Sequence, residues 1–184
     1  MSVVVHQPDA SGIWEPNMLR AFLSHSALYK GFVHEVAEAL KSYGICGFVA
    51  HDSIEVTREW RSEIERALNT ADMLVGFVHP EFVVSAWTNQ EVGWAHGRQI
   101  PVFMVRLGTD PPAFSGKLQW PDMRMAGGDE VAARIGQWAN SLPQFSDKVA
   151  GALIALLRTA QTKAKRFDWR SRSASLLGLS PLPW

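Results

Sequence analysis

Between Met18 and Val105 the chain alternates short apolar runs with stretches of helical spacing, and this alternation restricts the folds open to it. Met18 to Leu23, Ile45 to Ala50, Met73 to Val78 and Ile100 to Val105 are apolar runs of strand length. Between the first two, Phe32, Val36, Ala39, Leu40 and Tyr43 recur at spacings of three and four, the stripe of an amphipathic helix, and Gly44 is placed to end it. A polar loop from His51 to Val56 follows, and Thr57 is a suitable N-cap for a helix with the stripe Trp60, Ile64, Ala67 and Leu68. Ser85 can cap a third helix from about Ala86 to Arg98, and Pro101 is tolerated at the start of the fourth strand. A fifth, weaker strand is expected within Leu118 to Met125, interrupted by Pro121. Val131, Ile135, Trp138 and Leu142 define a further helix, and Ala150 to Ala160 the last. Apolar strands alternating with helices pair in parallel and are covered on both faces. The expectation is an α/β fold with a five-stranded parallel sheet and helices on both sides.

Residues 1–17 read as an irregular arm, 18–162 as the domain and 163–184 as a C-terminal tail. The tail begins basic, with Lys163, Lys165 and Arg166, and ends apolar, with Leu179, Leu182 and Trp184. It is expected to be either a disordered terminus or a docking segment for another subunit. With 47% hydrophobic and 20% charged residues, the chain as a whole is too apolar to be disordered. Its 18 basic residues are matched by 18 acidic ones, so the basic excess of a nucleic-acid binder is missing. Zero net charge also removes the self-repulsion that opposes association. The lone Cys46, in an apolar run, is expected to be a buried small hydrophobe. No run approaches the roughly 18 apolar residues of a membrane span, and the first residues lack the basic region of a signal peptide, so a cytoplasmic protein is expected.

Right-handed crossovers bring the C-terminal ends of all the strands to one edge, where such sheets bind ligands. Ser24-His25-Ser26, His51-Asp52 and His79-Pro80 should therefore be neighbours. Trp87 and Glu91, four apart on the third predicted helix, share a face and are placed to look into that crevice. His25, His51 and His79 could carry protons or bind a metal, but no acidic residue stands at a fixed ligand spacing, and no metal is expected. Ser24 or Ser26 beside a strand-end histidine could form a hydrolytic pair, although nothing in the spacing fixes that geometry. Glycine-rich phosphate loops and a Gly-x-Ser-x-Gly elbow are both missing. Trp14, Trp60, Trp94, Trp120 and Trp138 are expected mostly in core or interface.

In order and spacing these segments resemble a TIR (Toll/interleukin-1 receptor) domain of the bacterial type. The resemblance rests on Phe22-Leu23-Ser24-His25, the helix ending at Gly44, Phe48, and the loop from His51 to Thr57. It continues through Trp60, Ile64 and Leu68, Ala71 to Val75, His79-Pro80, Ser85-Ala86-Trp87 with Glu91, and Ile100-Pro101-Val102. The loop from Ser53 to Thr57 lacks the glycine or proline that many members carry there. The resemblance implies a flavodoxin-like sheet and, in many members, cleavage of NAD+ between nicotinamide and ribose, with NAD+ as substrate and no cofactor. It implies Glu91 of the Trp-x-x-x-Glu pattern as the catalytic residue. It also implies that Trp87, Ser24, His25, Asp52, Ile54 and Trp60 bind the dinucleotide. Nicotinamide and a linear or cyclic ADP-ribose signal would be the products, in an anti-phage defence role of the Thoeris kind. Self-association through TIR–TIR contacts and a downstream effector sensing the product would be the partners, with neither nucleic acid nor membrane involved. The alternative is a non-catalytic TIR–TIR scaffold. A third reading, a nucleoside deoxyribosyltransferase-like enzyme, lacks a matching set of motifs.

Overall fold

The computed structural model describes residues 12–49, 58–111 and 120–176, excepting the side chains of 58–60 and 162–176. Asp52 and Ile54, together with His51 and the expected cap Thr57, lie outside the described residues. The strands are β1 (Leu19–Ser24), β2 (Ile45–Phe48), β3 (Met73–Val78) and β4 (Val102–Arg106). The helices are α1 (Lys30–Leu40), α2 (Arg58–Thr70), α3 (Pro80–Val84), α4 (Ala86–Gly97), α5 (Gly128–Ser141) and α6 (Ser146–Leu176). Short 3-10 turns occupy Ala27–Tyr29, Lys41–Tyr43 and Pro143–Phe145.

The sheet runs β2-β1-β3-β4, every pair parallel, and the two central strands are the most completely buried. Gly44 ends the first helical stretch at φ 72°, a left-handed conformation that is cheap only for glycine, and β2 starts at the next residue. Side chains of a strand alternate between faces. In β1, Leu19, Ala21 and Leu23 join one apolar cluster with α1 and α5, whereas Phe22 joins a second cluster with α2, α3 and α4. Ser24 has the parity of Phe22 and so looks toward α4. At the opposite edge, where the central strands begin, Asp72 accepts hydrogen bonds from the Arg20 backbone N–H (2.7 Å) and from Lys148 Nζ (2.5 Å), which ties α6 to the sheet. Cys46 is buried, as its surroundings predicted, and burial pushes its thiol pKa up.

Two expectations need correction. The fifth strand shrinks, among the described residues, to one isolated parallel bridge between Arg106 and Asp122. Pro121 has no N–H to give, and the Asp122 carboxylate turns back on the Arg124 backbone and guanidinium, which curls the chain off the sheet. The last helix does not stop near Ala160. It continues to Leu176, so the first fourteen residues of the expected tail, 163–176, are helical. Their alanines, lysines and arginines favour a helix, and no glycine or proline interrupts them. None of the helices among the described residues is long and apolar enough to cross a membrane.

Candidate functional site

The site is built where β1 and α4 meet. One short helix, α3, leads into it. Pro80 opens α3 at its first turn, and Ser85 ends α3 in an extended conformation and caps α4, its Oγ accepting from the Thr88 N–H. Thr88 Oγ1 donates to the Phe82 carbonyl (2.5 Å), and Asn89 Nδ2 donates to those of Val83 (2.9 Å) and Ser85 (2.8 Å). These bonds fix the rotation of α4 about its axis, and that rotation decides which side chains face inward. At the far end, Arg98 Nη1 donates to the carbonyls of Leu68 (2.5 Å) and Ala71 (3.0 Å), pinning the end of α4 to the end of α2.

Glu91 lies on the inner flank of α4 and is only 7% exposed. Ser24 Oγ, at the last residue of β1, donates to its Oε2 at 2.5 Å. The two residues that sequence reasoning placed at the same edge are therefore in direct contact, at a buried carboxylate. Glu91 also lines a cleft of about 350 Å³ between α2 and α4, together with Arg61, Ile64, Trp87 and Trp94. Trp87 is 42% exposed, and the Arg61 guanidinium lies 5.8 Å from its ring centroid, within cation–π range. His25 is half-buried and donates through Nδ1 to the Leu23 carbonyl (2.8 Å), which holds the turn out of β1. Trp60 lies in the first turn of α2, one residue before Arg61, and its side chain is outside the described residues.

Trp94, expected in core or interface, is not part of the core. It is 40% exposed and lines the cleft instead of the core. Its signal was in the spacing: it stands three residues after Glu91 and seven after Trp87, on the same helical stripe. Arg61 had no such signal, because a lone arginine on a polar helix face is indistinguishable from solvated surface. The histidine set is also resolved in part. His79 is fully buried and bonds to Ser26 and Glu81, while His25 bonds to backbone. Among the described residues, no group of three His, Cys, Asp or Glu side chains could hold a metal ion.

A pre-positioned carboxylate beside an aromatic-walled cleft can stabilise positive charge that develops on a bound sugar, and an arginine on the opposite wall can hold an anion. Residues 21–138 match the sequence profile of the family described as TIR domain. Among curated proteins none matches significantly. A solved structure, a 2-desoxiribosyltransferase from Leishmania mexicana, aligns at a TM-score of 0.45 and 13% identity, covering 64% of this chain and 96% of its own. A likeness at that level says nothing about activity.

Proposed function

The chain belongs to the TIR-domain family, and from that premise we propose that it cleaves NAD+ at the bond between nicotinamide and ribose, with Glu91 as the catalytic residue. The observation that carries this reading is the buried Glu91 carboxylate, held by Ser24 at the end of β1 and opening on the cleft that Trp87 shares. Ordinary glycosidases use two carboxyl groups, one of them to protonate a leaving oxygen. Nicotinamide in NAD+ is already cationic and leaves neutral with the bonding electron pair, so no acid is needed. Positive charge builds on the ribose instead. A fixed carboxylate opposite that charge is worth about 3–4 kcal/mol, and exclusion of water around it strengthens the attraction.

The rest of the cleft has complementary chemistry. Arg61 supplies a cation for the diphosphate, and Trp87 and Trp94 supply flat faces for the bases. Trp87 also favours a cyclic product, since a base stacked on it is held close to the anomeric carbon and competes with water through effective concentration. Product analysis of Trp87→Ala tests this, with a fall in the cyclic-to-linear ratio expected and an unchanged ratio counting against it. Released as a signal, either product suits a role in anti-phage defence.

The deciding experiment incubates purified protein with NAD+ and measures free nicotinamide, wild type against Glu91→Gln and Glu91→Ala. It is run up to high protein concentration, because we also propose that self-association completes the site. Release by the wild type and its loss in both variants is the expected result. If the wild type releases none at any concentration, the chain is a TIR–TIR scaffold.

A further inference from the structure

A second chain of contacts begins at Ser26, two residues after Ser24, and plays no part in the reaction so far. Ser26 Oγ is 2.9 Å from His79 Nε2, and His79 Nδ1 is 2.6 Å from Glu81 Oε2. Two segments supply it: the turn after β1, which carries Ser26, and the start of α3, where His79 is the N-cap and Glu81 lies in the first turn. The His79 ring is fully buried, tilted by 35° against Tyr29 with ring centroids 4.3 Å apart, and edge-on to Phe82 at 6.4 Å. Glu81, by contrast, has its side chain 59% exposed.

The direction of the hydrogen bonds follows from the acid. The hydrogen bond from His79 holds the Glu81 carboxyl below its ordinary pKa, so it is a carboxylate and can only accept. His79 Nδ1 must then carry the proton of that bond. In the neutral ring Nε2 keeps its lone pair, and the Ser26 hydroxyl donates to it. The result is the order hydroxyl, imidazole, carboxylate, in which a histidine draws a proton from a serine. Here the acid reaches water, and a proton arriving at His79 has a way out. Ser26 is half-buried and only two residues from Ser24, which places it within about 7 Å of the residue that holds Glu91.

We propose that Ser26, His79 and Glu81 form a proton relay that serves the acceptor in NAD+ cleavage, a proposal that rests on the reading of Glu91 above. Once nicotinamide has left with its electron pair, the oxygen of water or of a sugar hydroxyl donates a pair to the anomeric carbon and forms the new C–O bond. The proton lost by that oxygen passes to Ser26 Oγ as Ser26 gives its own to His79 Nε2. The imidazolium is held by the Glu81 carboxylate until the proton leaves to solvent. No proton is left over, and no further reactant is required.

The relay can be tested by choice of acceptor. Water and methanol must lose a proton on attack, whereas the ring nitrogen of 3-acetylpyridine has none to lose. His79→Gln and Ser26→Ala are therefore expected to lower hydrolysis and methanolysis by about 10- to 100-fold, with exchange of nicotinamide for 3-acetylpyridine retained within about twofold. Ser26→Thr, which keeps the hydroxyl, should restore hydrolysis. If hydrolysis and exchange fall together, or neither falls, the three residues merely hold the turn and the relay is overturned, while NAD+ cleavage stands. Absence of nicotinamide release from the wild type would overturn both. Because His79 is buried and its variant could misfold, the half-buried Ser26 pair decides independently.

Discussion

The two faces of the sheet are built differently. On one, α1 and α5 close over β1 and β3, and the turn after α1 packs on α5 so tightly that a Cβ on Gly136 would stand 2.6 Å from the Tyr43 ring. Val33, Val36, Ala132 and Ile135 are fully buried there. On the other, α2 and α4 are pinned at one end by Arg98 and leave a cleft along their length, walled by two half-exposed tryptophans and floored in part by a carboxylate. The closed face carries the larger of the two apolar clusters, and the open face keeps a smaller one while also presenting polar and aromatic groups along its cleft.

If that division is right, substitutions on the two faces should change different measurements. The largest expected effect is Ile135→Ala on the closed face. It should cost about 2–5 kcal/mol of stability in a denaturant titration, without changing the turnover of the fraction that remains folded. Glu91→Gln on the open face should do the reverse, slowing nicotinamide release by about 10²- to 10³-fold with little change in melting temperature. Gly136→Val returns to the closed face, where overpacking against Tyr43 should cost about 1–3 kcal/mol. The smallest effect is that of Trp94→Ala. It should weaken substrate binding by about fivefold, seen as a rise in KM, since one stacked base is worth ~1 kcal/mol or somewhat more, with thermal stability nearly unchanged. A large loss of stability in Trp94→Ala would show that this ring belongs to the core after all, and the contrast between the faces would fail.

Legibility in the sequence followed the same division. Strand β3 was readable to the residue because all six positions are buried and apolar. The start of α4 was readable because Ser85 caps it with its own side chain, and the pairing of Trp87 with Glu91 because helical spacing alone puts them on one face. The contact between Ser24 and Glu91 was legible only as shared membership of an edge. Its distance depends on the rotation of α4, which Thr88 and Asn89 set through bonds to backbone that no residue pattern encodes. Helix α3 was hidden for a related reason: His79-Pro80 reads as a break, yet proline in a first turn begins a helix as readily as it ends a strand. Ser26 and His79 were each visible as strand-end polar residues, but joining them required the side-chain directions of two separate turns.

Ser24 and Glu91 stand 67 positions apart in the chain, and β2 and α2 lie between them. A cut between those two elements would leave the hydroxyl on one fragment and the carboxylate on the other. On the proposed function, neither piece would turn over dinucleotide alone, and product would appear only when the fragments met and the sheet closed between them. The short bond at the heart of the cleft thus doubles as a reporter of complementation.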